Sequence, residues 1–168
     1  MSAARLLGQA DVEALRALRL RGLQEHPLEF GADYDDELAW TMERWRERLK
    51  EVSWFGVDRD GALIACAFVR FMTGRKLRHN GLINAMYVVA EARGGGAGDA
   101  LIDAIESAAR EHGATHIKLY VREGNARATA FYRRRGFVPY GVEPDSHIVA
   151  GISYHSLEMC RILPEPAP

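Results

Sequence analysis

The chain has 168 residues, of which 48% are hydrophobic and 27% are charged, and its formal net charge is −1 at pH 7. This length and composition are typical of one folded domain, and they exclude disorder over most of the chain. The balanced charge argues against a dedicated nucleic-acid binder, which carries a basic excess, and no apolar run approaches the roughly 18 residues of a membrane-spanning helix.

Apolar spacing in the first part of the chain predicts two helices followed by a hairpin. A short strand closes at Leu6-Leu7, and Asp11 is the expected N-cap of a helix that ends at His26-Pro27. A second helix is expected to begin within residues 33–36, with an apolar stripe at helical spacing: Leu38, Met42, Trp45 and Leu49. The hairpin has its turn signal at Asp60-Gly61, and its two strands are Trp54–Val57 and Ala62–Phe71.

The second part of the chain predicts strands that alternate with helices. In chain order these elements are strand Gly81–Val89, a glycine-rich segment, a helix through 101–108 that stops at Gly113, strand Thr115–Val121, a helix from Asn125 through Arg135, and strands Phe137–Tyr140 and Ile148–Ile162. Together the elements indicate a mixed α/β domain. We expect one domain over residues 1–163 and a disordered Pro-rich tail at 164–168.

The glycine-rich segment Arg93–Gly98 joins a buried strand to a helix. Glycines let the backbone approach a ligand, and free amides at a helix N-terminus favour a pyrophosphate group. A Walker A loop is excluded because Asp99 follows Gly98, and a dinucleotide fingerprint is excluded because its third glycine position falls on Asp99 or Leu101. A strand–helix connection without a ligand stays open at this point.

Two motifs carry a resemblance to a known family. The pattern Arg-x-x-Gly-x-Gly after an apolar strand resembles the acyl-CoA loop of the GNAT N-acetyltransferase superfamily, and Met86–Val88 with Glu91–Arg93 looks like the strand and bend before that loop. The family's second motif is matched at the usual distance by Asn125–Ala128, Phe131-Tyr132 and Arg135–Phe137, and the turn Tyr140-Gly141 looks like part of its C-terminal hairpin. The resemblance covers about residues 63–163.

The resemblance implies one mixed central sheet with flanking helices and a cleft where the parallel strands Leu82–Val89 and Thr115–Val121 splay apart. It implies acetyl-CoA as cosubstrate in that cleft, with the pyrophosphate held by backbone amides of the glycine segment and the 3′-phosphate reached by Arg135. The implied cofactor-binding residues are Met86, Val88, Arg93, Gly94, Gly95, Gly96, Ala97, Gly98, Asn125 and Arg135.

Tyr132 resembles the family tyrosine that protonates the leaving thiolate. A tyrosine has a pKa of about 10 and a thiol one of about 8.5, so the proton transfer is uphill by about 2 kcal/mol. A site that stabilises the tyrosinate would close this gap. The alternative is a tyrosine that only packs in the core.

The general base is where the sequence departs from the family pattern. Some relatives carry a glutamate on the strand before the glycine loop, whereas residues 82–87 contain no carboxylate. Asn84 and Tyr87 could order a water molecule there, and His147 and His155 are base candidates on the final hairpin. Either histidine could instead be solvated or structural.

The acidic residues between Glu29 and Glu37 have two interpretations. They could receive a cationic amine at the acceptor end of the cleft, or they could complement the dipole of the helix that begins there.

The predicted activity is transfer of an acetyl group from acetyl-CoA to a primary amine of a small molecule or peptide by direct attack. The alternative is a non-catalytic acyl-CoA-binding or sensor module. Cys66 and Cys160 lie in no nucleophile or metal-ligand motif, so we expect a reduced, cytoplasmic protein that needs no metal. The sequence predicts no nucleic-acid or membrane partner and leaves a homodimer open.

Overall fold

A computed structural model describes residues 3–164, and these residues form one seven-stranded mixed sheet with the order β1-β2-β3-β4-β5-β7-β6. Four of the predicted tail residues, 165–168, lie outside the described residues. The strands are β1 Ala4–Leu6, β2 Ser53–Arg59, β3 Ala62–Phe71, β4 Asn80–Val88, β5 His116–Arg122, β6 Val138–Val149 and β7 Ile152–Ile162. The α-helices are α1 Val12–Glu25, α2 Tyr34–Leu38, α3 Met42–Glu51, α4 Ala97–Glu111 and α5 Ala126–Arg134.

The sheet carries a separate apolar core on each face. Successive residues of a strand point to opposite faces, and along β3 the residues Ala65, Ala67 and Val69 pack with α4 and α5 while Cys66 and Phe68 pack with α1 and α3. The largest fully buried side chains of the two cores include Leu101, Ile105, Ile117, Met159 and Phe137 on one face and Leu15 and Trp45 on the other. This architecture confirms the predicted mixed sheet with flanking helices.

The predicted second helix is wrong in one respect, because the structure divides it into α2 and α3. The Asp33 carboxylate caps α2 through the amides of Asp35 and Asp36, and the Thr41 hydroxyl caps α3 through the amide of Arg44 at 3.2 Å. The apolar stripe therefore crosses a break, and Leu38 is 42% exposed instead of being buried with Trp45.

The boundaries predicted for the last two strands are also wrong. β6 continues to Val149, and a tight turn at Ala150-Gly151 with φ values of +49° and +79° connects it to β7. Ile148 therefore belongs to β6, where it pairs with Ser153. Two successive positive φ values are typical of a two-residue hairpin turn.

The two parallel strands β4 and β5 separate after a short stretch of pairing. They pair at Asn80–His116, Gly81–Ile117 and Leu82–Lys118, and no further pair joins them. Ala85 has a φ of +56° within an irregularity in the β3–β4 ladder, so the second half of β4 stays with β3 while β5 stays with β7. The predicted splayed strands are thus confirmed.

Candidate functional site

A cavity of about 620 Å³ opens where β4 and β5 separate. Its walls come from residues 83–88 of β4, residues 119–122 of β5, the glycine segment, α5, the α1–α2 loop and the β6–β7 hairpin. Eight of the predicted site residues line it: Met86, Val88, Arg93, Gly94, Gly96, Gly98, Asn125 and Tyr132.

The glycine segment needs its glycines for two different reasons. Gly94 and Gly96 have φ values of +77° and +85°, a left-handed conformation that disfavours other residues, and Gly96 is the N-cap of α4. A Cβ on Gly98 would lie 3.2 Å from the Phe131 ring, so this glycine permits close approach of α4 to α5. The first-turn amides of α4 have no partner within the helix and can bind an anion.

Two predicted residues of the same segment do not line the cavity. A Cβ on Gly95 would meet the Arg59 guanidinium at 3.1 Å, and Ala97 is buried in the core. These two residues therefore face the protein interior and not the cavity.

Arg93 ties the glycine segment to β4 and α1. Its Nε donates to the Val88 carbonyl at 3.0 Å, and its Nη2 lies 2.8 Å from Nε2 of His26. Because a guanidinium can only donate, His26 accepts at Nε2 and is neutral in this arrangement. Burial, followed by the charge of Arg93, lowers the pKa of His26 below its usual value.

Both the oxygen and the nitrogen of the Asn125 side-chain amide form hydrogen bonds. Its Oδ1 caps α5 through the amide of Ala128 at 3.0 Å, and its Nδ2 donates to Oε2 of Glu29 at 2.5 Å. The other oxygen of Glu29 accepts from Nε and Nη2 of Arg122 at 3.1 and 2.7 Å. The α1–α2 loop is thereby fastened to the end of β5 and the start of α5.

Tyr132 is 8% exposed and donates its hydroxyl hydrogen to the Met86 sulfur at 3.2 Å. Burial raises the pKa of Tyr132 above its usual value. This is the opposite of the tyrosinate-stabilising site considered from the sequence, so the phenol of the protein alone stays protonated at neutral pH.

Arg135 does not line the cavity. Its guanidinium pairs with Asp103 and lies 3.6 Å from Asp99 and 3.7 Å from Glu106, all on α4. These carboxylates hold the side chain away from the cleft, and the structure therefore does not favour Arg135 as the 3′-phosphate contact. Arg127 and Arg134, from the same helix, line the cavity instead.

At the other end of the cavity, only the start of the acidic segment 29–37 takes part. Glu29, Phe30 and Gly31 line the cavity. Two of the carboxylates that follow have structural roles, because Asp33 caps α2 and Glu37 forms a buried pair with Arg19 at 3.0 Å.

The β6–β7 hairpin contributes Glu143, Ser146, His147 and Ser156 to the cavity. His147 is one of the predicted base candidates, whereas His155 does not line the cavity and accepts from the Asp145 amide through Nδ1. Ser146, Ser156, Glu143, His26 and Arg122 were not named individually as site residues from the sequence. Only the register of the hairpin brings the first three to the cleft.

Neither a metal site nor a thiol nucleophile emerges from residues 3–164. No group of three His, Cys, Asp or Glu side chains in this range could hold a metal ion, and no helix in it is long and apolar enough to cross a membrane. Burial raises the pKa of the Cys66 thiol to about 12, so this cysteine is not an activated nucleophile.

Comparison with known proteins identifies the family. The model of the acetyltransferase (GNAT) family matches residues 19–137. The chain belongs to this family. It is 32% identical over 142 residues to a mycothiol acetyltransferase from Beutenbergia cavernae, with 80% of this chain and 43% of that protein covered. The chain spans less than half the length of the curated relatives it matches.

Solved structures of GNAT proteins have the same fold. The ribosomal-protein-alanine N-acetyltransferase from Brucella melitensis has a TM-score of 0.75 and 26% identity, covering 95% of this chain and 99% of that one. The yncA protein of Salmonella typhimurium, solved with its cofactor acetyl-CoA, has a TM-score of 0.77 and 20% identity, covering 100% and 97%. At 20% identity, the similarity to the yncA protein shows only that the fold is the same.

Proposed function

We propose that this GNAT protein transfers the acetyl group of acetyl-CoA to a primary amine by direct attack. The observation that carries the proposal is that one continuous cavity between the splayed strands joins the N-terminus of α4 to the buried Tyr132. A non-catalytic acyl-CoA-binding module would not need a proton donor at the end of the cleft.

The residues of the cavity fit acetyl-CoA. The glycine segment and the first turn of α4 offer backbone amides to the pyrophosphate, and Arg127 and Arg134 offer positive charge nearby. The second half of β4, with Met86 and Val88, has no partner on the side toward β5, where it faces the cavity and offers backbone groups to the pantetheine arm. A side chain at Gly98 would obstruct the approach between α4 and α5.

In the proposed reaction the amine nitrogen bonds to the thioester carbonyl carbon and the carbon–sulfur bond breaks. Tyr132 keeps its proton until the thiolate leaves, because burial raises the pKa of the phenol. No covalent acetyl-enzyme is part of the proposal, since Cys66 is buried and Cys160 does not line the cavity.

The test is release of free thiol from acetyl-CoA with a panel of amines: amino acids, aliphatic amines and peptides with an N-terminal alanine. We expect one class to raise thiol release at least tenfold above the amine-free rate, a difference of about 1.4 kcal/mol. Binding of acetyl-CoA without amine-dependent release would support the binding or sensor module instead.

The proposal also assigns the protein a cytoplasmic location and no metal requirement. A chelator is expected to leave the rate of thiol release unchanged. The extent of the domain to residue 163 and a homodimer stay predictions, to be tested by limited proteolysis and by light scattering.

A further inference from the structure

We propose that Ser156, Ser146 and His147 form the proton relay that deprotonates the acceptor amine. This inference rests on the proposed function, and it supplies the general base that β4 lacks. All three residues line the acceptor end of the cavity, and they belong to two adjacent strands of the final hairpin.

The three side chains form a continuous line of hydrogen-bonding atoms. Oγ of Ser156 lies 2.7 Å from Oγ of Ser146, which lies 3.0 Å from Nδ1 of His147. Ser146 Oγ is also 3.1 Å from the carbonyl of Tyr154, a second acceptor for its hydrogen. Ser156, the end of the line that meets the amine, is 6% exposed, and Ser146, in the middle, is half-buried.

The far end of the line fixes the tautomer of the imidazole. Nε2 of His147 lies 3.0 Å from the Leu28 carbonyl, which can only accept, so Nε2 carries the hydrogen. Nδ1 of the neutral ring then has a free electron pair directed at Ser146. The same carbonyl stabilises the imidazolium once Nδ1 is protonated.

Proton transfer along this line balances without a co-reactant. The ammonium form of the amine gives a proton to Ser156 Oγ as Ser156 gives its own to Ser146 and Ser146 gives its own to Nδ1 of His147. The products are a neutral amine, two unchanged hydroxyl groups and one imidazolium. The neutral amine has the electron pair that attacks the thioester.

Three other titratable groups that line the cavity are already engaged in hydrogen bonds. Glu29 accepts from Arg122 and Asn125 with its two oxygens, His26 accepts from Arg93, and the Tyr87 hydroxyl donates to Glu25 at 2.6 Å.

Several charged or titratable groups surround His147. The Tyr154 ring stacks on the imidazole with 5.5 Å between the ring centroids, and the guanidinium carbon of Arg122 lies 6.0 Å from the centroid of the Tyr154 ring. Glu29 follows Leu28 in the chain, and Glu143 on β6 lines the cavity near Ser156, its partner in the β-ladder. Glu143 is the competing base that the test must separate from His147.

The experiment measures kcat/KM for the amine from pH 5.5 to 9.5 in wild type, His147→Gln and Ser146→Ala. Glutamine can still donate to the Leu28 carbonyl, and alanine removes the link while leaving the imidazole in place. We expect both variants to lose about 10²-fold at neutral pH, to recover toward high pH, and to bind acetyl-CoA as wild type does. His155→Gln, on the same hairpin but outside the cavity, is the control and keeps the wild-type profile.

The outcomes distinguish the relay from the proposed function. The relay alone is overturned if the wild type turns over and His147→Gln keeps a kcat/KM within about threefold of the wild-type value, with the same fall in kcat/KM at low pH. Loss of the acid limb in Glu143→Gln, with His147→Gln unaffected, assigns the base to Glu143 and overturns it too. If no amine of the panel raises thiol release by the wild-type protein, both the proposed function and the relay are rejected. Should His147→Gln fail to fold by circular dichroism, the profile of Ser146→Ala decides.

Discussion

At the scale of single residues, Tyr132 combines a buried phenol with a position beside the second half of β4. Its hydroxyl contacts Met86, and its ring packs edge-to-face with Phe131 and Phe137. The surrounding residues therefore hold the ring firmly and keep the proton on the oxygen. The raised pKa makes transfer of this proton to a thiolate more uphill than it is at the ordinary tyrosine value, so the donor role needs a direct test.

Replacement of Tyr132 by phenylalanine tests the donor role. The ring contacts remain, so the loss of stability should stay below about 1.5 kcal/mol, while loss of general acid catalysis should lower kcat by about 10²–10⁴-fold. Acetyl-CoA affinity, measured by calorimetry, should be nearly unchanged. A kcat within about threefold of wild type would leave Tyr132 as a packing residue.

The raised pKa of Tyr132 also predicts how stability depends on alkaline pH. Above about pH 10 the unfolded chain loses this proton while the folded protein keeps it. The unfolded state then binds fewer protons, so the free energy of unfolding falls by up to about 1.4 kcal/mol per pH unit for this group. Urea titrations of Tyr132→Phe at pH 9 to 11 should show a shallower fall. Tyr87, whose pKa burial also raises, contributes a similar slope that the variant retains.

At the scale of elements, α4 and α5 approach closely at Gly98. Two substitutions there distinguish the effect of added size on acetyl-CoA binding from the effect of added charge. Gly98→Glu places a carboxylate at the helix N-terminus, where it repels the pyrophosphate, whereas Gly98→Ala adds only the methyl contact with Phe131. We expect acetyl-CoA affinity to fall at least tenfold further in the glutamate variant than in the alanine variant. Calorimetry on both variants, with thermal unfolding as the check on folding, makes the comparison.

Glu29 fastens the α1–α2 loop over the acceptor end of the cleft. In Glu29→Gln one side-chain oxygen becomes an amide nitrogen. The glutamine side chain then has one acceptor oxygen left and cannot accept from both Arg122 and Asn125. Hydrogen bonds to charged groups contribute about 1.5–3 kcal/mol, so we expect KM for the amine to rise by about tenfold and amide exchange in residues 27–33 to accelerate. Glu123→Gln, an exposed change beside Arg122, is the matched control. Equal exchange rates in both variants would contradict the fastening role.

The helices and strands show which features could be predicted from the sequence. The glycine segment and the Asn125 cap were predictable because each depends on a strand–loop–helix unit only a few residues long. The break between α2 and α3 was missed because the apolar stripe continues in phase across Trp40, so periodicity alone does not reveal it. The hairpin turn was missed because Ala150 gives no signal for its positive φ.

The site residues that were missed depend on long-range geometry. Neighbouring residues on a helix point about 100° apart, and this rotation sends Arg134 into the cavity and Arg135 toward Asp103. Ser146 and Ser156 reach the same cavity only because β6 and β7 pair in one register and β7 lies beside β5. No local pattern in the sequence encodes that arrangement.

At the scale of the whole molecule, the sheet halves meet at three residue pairs between β4 and β5. A ligand that contacts both strands therefore stabilises the folded state as a whole. At a concentration of 100 times its Kd, acetyl-CoA should add about 2.7 kcal/mol to the free energy of unfolding. Thermal unfolding should show a Tm that rises with acetyl-CoA concentration, and the Gly98→Glu variant should show a much smaller rise. A wild-type Tm that is independent of acetyl-CoA would contradict the proposed binding site.

The gap between β4 and β5 creates a strand edge inside the sheet. Exposed edges invite pairing with a strand of another chain, which leads to aggregation. Here the unpaired edge at residues 83–87 lies in the cleft between α5 and the loop that Glu29 fastens. A thin extended molecule can enter this cleft, whereas a folded chain cannot present a strand there. The walls that shape the cleft thus also shield this backbone edge from pairing with a strand of another chain.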